Sequence, residues 1–133
     1  MRRIVSFFIL LLFYAVGYSQ TFLFALGSAL EPNAKCIVVY QFPNSMIWVH
    51  VPKTQVAAEV IIDTDENYYR DLAKDNLSKG KDPDKYFSPA GKYNGCISFV
   101  NRRGGYVYIT QDGRKLMLAG TDIIFKQIRV VDN

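Results

Sequence analysis

His50 is the single histidine among 133 residues, and any nucleophile–histidine–acid triad would have to use it. It follows Met46 and Trp48 at alternate positions of the apolar run SMIWVHV. Ser45, Ser98 and the cysteines are the nucleophiles on offer, and no spacing singles one out. A small hydrolase using His50 is therefore an alternative reading and not the leading one. Asp63/Asp65 and Asp82/Asp84 each sit two apart, but glycoside hydrolysis needs carboxyl groups that face each other across a sugar. Asp63-x-Asp65-x-Asn67 opens like a calcium loop and then fails, with Tyr68 where the sharp turn needs Gly and Lys74 where a bidentate Glu should close it. These residues read better as a helix cap. The chain has no G-x-S-x-G, no H-E-x-x-H and no Gly-rich phosphate loop. Two cysteines and one histidine are too few for a structural zinc site of Cys and His alone. No metal and no cofactor are expected, and the chain leans away from being an enzyme.

What remains is aromatic. Trp48 with His50, and Tyr106 with Tyr108, decorate the non-core faces of two expected hairpins. Tyr86, Phe87 and Tyr93 lie in a loop between them. Tyrosine and tryptophan suit interfaces because one end of the ring is apolar and the other wet. The leading expectation is a binding or interaction module whose contact residues are Trp48, His50, Tyr106 and Tyr108. The ligand would be a protein, a peptide or a glycan. The competing expectation is that a helix covers this face and makes the rings core.

Residues 4–30 carry no charge, and Arg2 and Arg3 precede them. A positive start, the apolar run Ile4–Val16 and small residues at Gly17 and Ser19 form a secretory signal cut before Gln20. Ala25-Leu26-Gly27 offers a later cut before Ser28. The rival is an uncleaved anchor over 4–30, because Thr21–Leu26 resumes the apolar run to the length a membrane span needs. The expected organisation is a signal peptide over 1–19 and one globular domain over 20–133, secreted or periplasmic, with a membrane-anchored accessory subunit as the alternative. Without Arg2 and Arg3, fourteen basic residues face twelve acidic ones, too even a balance for a nucleic-acid binder. In an exported chain, Cys36 and Cys96 suggest a disulfide.

These residues need elements to hold them. Lys35–Phe42 and Ser45–Val51 read as two strands. A four-residue loop over Phe42–Ser45 opposes Tyr40 to Ile47 and puts Cys36, Val38, Tyr40, Ile47, Val49 and Val51 on a core face. Ile37, Val39, Gln41, Met46, Trp48 and His50 then share the other face. Val56–Ile62 suits a strand. Asp65–Ser78 has helical spacing, with Tyr69, Leu72, Ala73 and Leu77 on one stripe and Gly80 as the stop. Lys79–Asn94 reads as a long loop. Gly95–Asn101, Gly105–Thr110, Lys115–Ala119 and Ile123–Val131 read as strands. Asp112-Gly113 makes a hairpin that sets Val107, Ile109, Leu116 and Leu118 on one face and Tyr106, Tyr108, Met117 and Ala119 on the other. The expected fold is α+β: a mainly antiparallel sheet of about six or seven strands with one helix packed on a face.

Overall fold

The computed structural model describes residues 19–26, 36–51 and 66–132. Among them run strands β1 (Gln20–Ala25), β2 (Cys36–Gln41) and β3 (Ile47–His50), then helix α1 (Glu66–Ser78) and a 3-10 turn (Pro83–Lys85). Strands β4 (Tyr86–Tyr93), β5 (Cys96–Val100), β6 (Tyr106–Thr110), β7 (Lys115–Leu118) and β8 (Ile124–Asp132) follow. Each strand pairs antiparallel with the next, and β1 pairs with β8, so the sheet closes into an eight-stranded barrel. The expected open sheet of six or seven strands under a helix is wrong. Two strands were not among those expected: β1, at the start of the expected globular domain and inside the leader or anchor only under the alternatives, and β4, in what read as a loop. The strand expected over Val56–Ile62, the helix cap at Asp63–Asp65 and the leader before residue 19 lie outside the described residues.

Alternation fills the barrel. Phe24, Ile37, Val39, Ile47, Val49, Phe87, Phe99, Val107, Leu116 and Phe125 point inward and form one apolar core. Each contributes roughly 1.5–3 kcal/mol by leaving water. Pro89 and Gly91 are tolerated in β4 because the register shifts between Pro89 and Lys92, a bulge that spares the missing proline N–H. The Asp112-Gly113 hairpin has the expected register, with Val107 opposite Leu118 and Ile109 opposite Leu116.

The first hairpin does not. Gln41 opposes Ile47, and Phe42 N–H donates to the Met46 carbonyl, so three residues form the loop. Ser45 takes the left-handed conformation there, at φ 67°. One residue of slip flips every side chain in the second strand relative to the first. Ile47 and Val49 therefore join Ile37 and Val39 inside, while Trp48 and His50 join Cys36, Val38 and Tyr40 outside.

That outer side is not exposed either. Helix α1 lies against it, and Tyr40, Phe42, Trp48 and Ala73 form a second core with Tyr69 and Leu72. Tyr86 Oη donates to the Ala73 carbonyl at 2.6 Å and ties β4 to the helix. The helix ends as its Gly80 required: Gly80 is left-handed at φ 65°, and Lys81 N–H donates to the Asn76 carbonyl. Leu77, the last residue of the expected stripe, is exposed.

Cys36 and Cys96 are both buried free thiols, which corrects the expected disulfide. They sit on β2 and β5, three strand steps apart around the wall. At strand spacing that is about 14 Å, roughly twice the Cα separation a bridge can span. Burial pushes the Cys36 thiol pKa up, which keeps it protonated and unreactive.

Candidate functional site

Three tyrosines meet on the outward face of β4, β5 and β6. The rings of Tyr93 and Tyr108 are 5.2 Å apart, and those of Tyr106 and Tyr108 are 6.1 Å apart and within 4° of parallel. Tyr93 is 57% exposed and Tyr106 41%, so the stack has open faces. Strand periodicity places Tyr106 and Tyr108 together, two residues apart on one side of β6. Tyr93 arrives through the β4–β5 turn, where Asn94 (φ 49°) and Gly95 (φ 77°) both take positive φ and Tyr93 opposes Cys96. This is the tight turn that an Asn-Gly pair favours.

The same row continues across the wall. Tyr108 opposes Met117, and Met117 opposes exposed Ile124. One step along, Lys115 directly opposes Lys126. Like charges facing each other across strands are destabilising. With Arg114 they line a shallow surface hollow of about 450 Å³ that also holds Asp112. Asp112 accepts from the Thr110 hydroxyl and the Arg114 N–H, and these bonds hold its carboxyl below the ordinary carboxylate range.

Of the four residues singled out from sequence, two are here and two are not. Tyr106 and Tyr108 share the tyrosine face. Trp48 is fully buried on the far wall, under α1, and cannot touch an external ligand. His50 is half-buried beside it, with the two rings stacked at 5.3 Å and Tyr69 5.6 Å away. Its Nδ1 is buried with no hydrogen-bond partner among the described residues, as is Trp48 Nε1. Burial, with Lys85 adding to it and Asp82 opposing, lowers the His50 pKa and keeps the ring neutral near pH 7. The proposed nucleophile Ser98 donates instead to the Gly91 carbonyl at the β4 bulge.

Of the two acidic pairs, Asp63/Asp65 lies outside the described residues and Asp82/Asp84 is used structurally. Asp82 pairs with Lys85 at 3.6 Å and Asp84 with Arg103 at 2.9 Å. No group of three or more potential metal-ligating side chains occurs among the described residues. Tyr86 and Phe87, which read as loop aromatics, are packing residues. Burial, then Asp82 and Asp75, push the Tyr86 pKa up to about 12. Tyr93 is the site residue that falls in the expected loop Lys79–Asn94, and Asn94-Gly95 is the sequence signal that marks its turn. No protein-family model, curated protein or solved structure matches the chain.

Proposed function

We propose that this chain is an exported, non-enzymatic binding module that contacts an acidic protein surface through Tyr93, Tyr106 and Tyr108. The observation that carries the reading is a row of three rings in contact on an outer wall, Tyr106 stacked on Tyr108 and Tyr93 tilted against it, with Tyr93 and Tyr106 well exposed. Stacked rings are already ordered, so little conformational freedom is lost when a partner covers them. Met117 and Ile124 extend the apolar strip, and the opposed Lys115 and Lys126 form a basic rim that an acidic partner would relieve. Tyrosine and methionine are enriched at such contacts.

The export half of the proposal rests on the sequence, with Arg2 and Arg3 before the apolar run Ile4–Val16 and small Gly17 and Ser19 after it, and β1 bears on where the cut falls. A cut before Gln20 keeps the whole strand, whereas a cut before Ser28 or a membrane span over 4–30 takes it from the barrel. Among the described residues no helix is long and apolar enough to cross a membrane. The barrel's inside is apolar and its outer wall carries lysines, the inverse of a transmembrane barrel.

A photo-crosslinking residue at position 106, introduced in the cells that make the protein, tests the reading. The expected result is one discrete adduct with a different protein, lost when Tyr108→Ser is added and absent when the probe sits at Lys74 on α1. Adducts with copies of this chain only, with glycan only, or with none would overturn it.

A further inference from the structure

The barrel is not filled to its end. Where β2 meets β3, β4 meets β5 and β6 meets β7, a cavity of about 150 Å³ opens. Its wall is Phe22, Phe24, Val39, Ile47, Phe99 and Ile109. Ile97 also lines it and, although it faces inward opposite Ile109, is 37% exposed, which marks the mouth. No charged side chain lines the cavity. Its polar lining groups are Gln41, Thr110 and Gln111. The Thr110 hydroxyl is committed, donating to Asp112 and accepting from the Lys115 N–H. That leaves the two amides, each able to donate and accept.

We infer that this end of the barrel is a binding site for a small uncharged compound with an apolar body about the size of one six-membered ring and at most one hydroxyl or carbonyl. Two physical facts carry this. Apolar cavities of about this volume accept one benzene-sized molecule, because the apolar wall regains contacts that an unfilled space denies it. A lining with no charge would leave a carboxylate or ammonium desolvated and unpaired, which excludes ionised ligands. A hydroxyl at the mouth would meet the Gln41 or Gln111 amide. The mouths of small β-barrels are a recurrent position for ligand sites. The site is on the inside of the wall and does not depend on the tyrosine face, so either proposal can fail alone.

Methyl-detected NMR titration of the protein recovered from its cells, with toluene, phenol and benzoate as probes, is the test. Toluene and phenol are expected to shift the methyls of Val39, Ile47, Ile97 and Ile109 together and saturably. Benzoate at the same concentration is expected to leave them in place. Contacts between toluene protons and the Ile47 and Ile109 methyls should appear in the unaltered protein, which needs no variant to fold. Ile97→Trp, which plugs the mouth from a partly exposed position, should weaken binding by about tenfold with the thermal midpoint unchanged. Absence of saturable shifts up to the solubility of toluene would overturn the inference. So would equal binding of benzoate, contacts to the outer-face Ile124 in place of Ile47, or undiminished binding by a folded Ile97→Trp protein.

Discussion

Trp48 and Tyr106 look alike in sequence, each an aromatic residue on an alternating strand, and the fold gives them opposite roles. Trp48 is fully buried, with Tyr40, Phe42 and Ala73 in its cluster and His50 stacked on its ring. Tyr106 touches one ring and faces solvent. Truncation should separate them. Trp48→Ala is expected to lower stability by about 3–5 kcal/mol, the loss of a large buried ring plus the cavity it leaves. Tyr106→Ala should change stability by less than about 1 kcal/mol. Urea denaturation of the two variants checks both values, and a large loss at Tyr106 would mean that its ring belongs to packing and not to a contact face. The single histidine follows the same logic. Its ring packs in a stack of aromatic neighbours, and its lowered pKa follows from burial more than from any partner that would use it as a base.

At the scale of elements, one loop decides which residues are core. Pro43 cannot take positive φ, so the β2–β3 connection needs another residue to reverse the chain, and Ser45 does so at φ 67°. Asn44 helps by accepting from the Met46 N–H at 3.1 Å. Alternation identifies two strands here, but the four-residue loop expected over Phe42–Ser45 is one residue too long. A four-residue loop and a three-residue loop differ by one step of register, and that step moved Trp48 from the expected binding face to the packed one. Ser45→Gly is expected to raise stability by about 0.5–1 kcal/mol, because glycine occupies this conformation without the clash that serine bears. Ser45→Val should lower it by about 1–2 kcal/mol, since a β-branched residue fits the left-handed region worst. Similar urea midpoints for the two variants would mean that the loop is not built on a left-handed residue. By contrast, the Asp112-Gly113 hairpin was legible down to its register, because Gly113 supplies the positive φ and the flanking alternation is unbroken. Asn94-Gly95 carried an equally strong signal. It was obscured because β4 holds Pro89 and Gly91, residues that read as loop until a bulge accommodates them.

For the whole molecule, the decisive element is β1. It is hydrogen-bonded on both edges, to β2 and to β8, and its Leu23, Phe24 and Ala25 are fully buried or nearly so. Removing it withdraws about 5 kcal/mol or more of apolar burial, comparable with the whole stability margin of a typical domain. It also exposes two strand edges, which invites aggregation. If the chain is exported as proposed, protein recovered from cells is expected to have a mass that starts at Gln20, the cut that keeps β1, and that does not change on reduction, because both thiols are free. A chain begun at Ser28 should show no cooperative urea transition. A recovered, soluble, folded species starting at Ser28 would mean that the barrel closes without β1.

Local order was set by the sequence itself. The helix over Glu66–Ser78, its stop at Gly80, strands β5 to β8 and the Asp-Gly register follow from period, turn residues and positive-φ positions, all of which act between near neighbours. So did the pairing of Tyr106 with Tyr108, which needs only the two-residue repeat of a strand. Tertiary structure alone decided the rest. Closure joins β1 to β8 across nearly the whole described chain, and a strand's own residues do not name its partner. The order of strands separates Cys36 from Cys96 and sets β4 two strands from β6, within reach of Tyr108, while closure leaves an apolar space at one end of the barrel. Helix α1 then chooses which wall to cover, and by covering Trp48 it leaves the opposite wall to the tyrosines. Each of these depends on contacts between segments far apart in the chain, where alternation says that a side chain faces one way or the other but not what it faces.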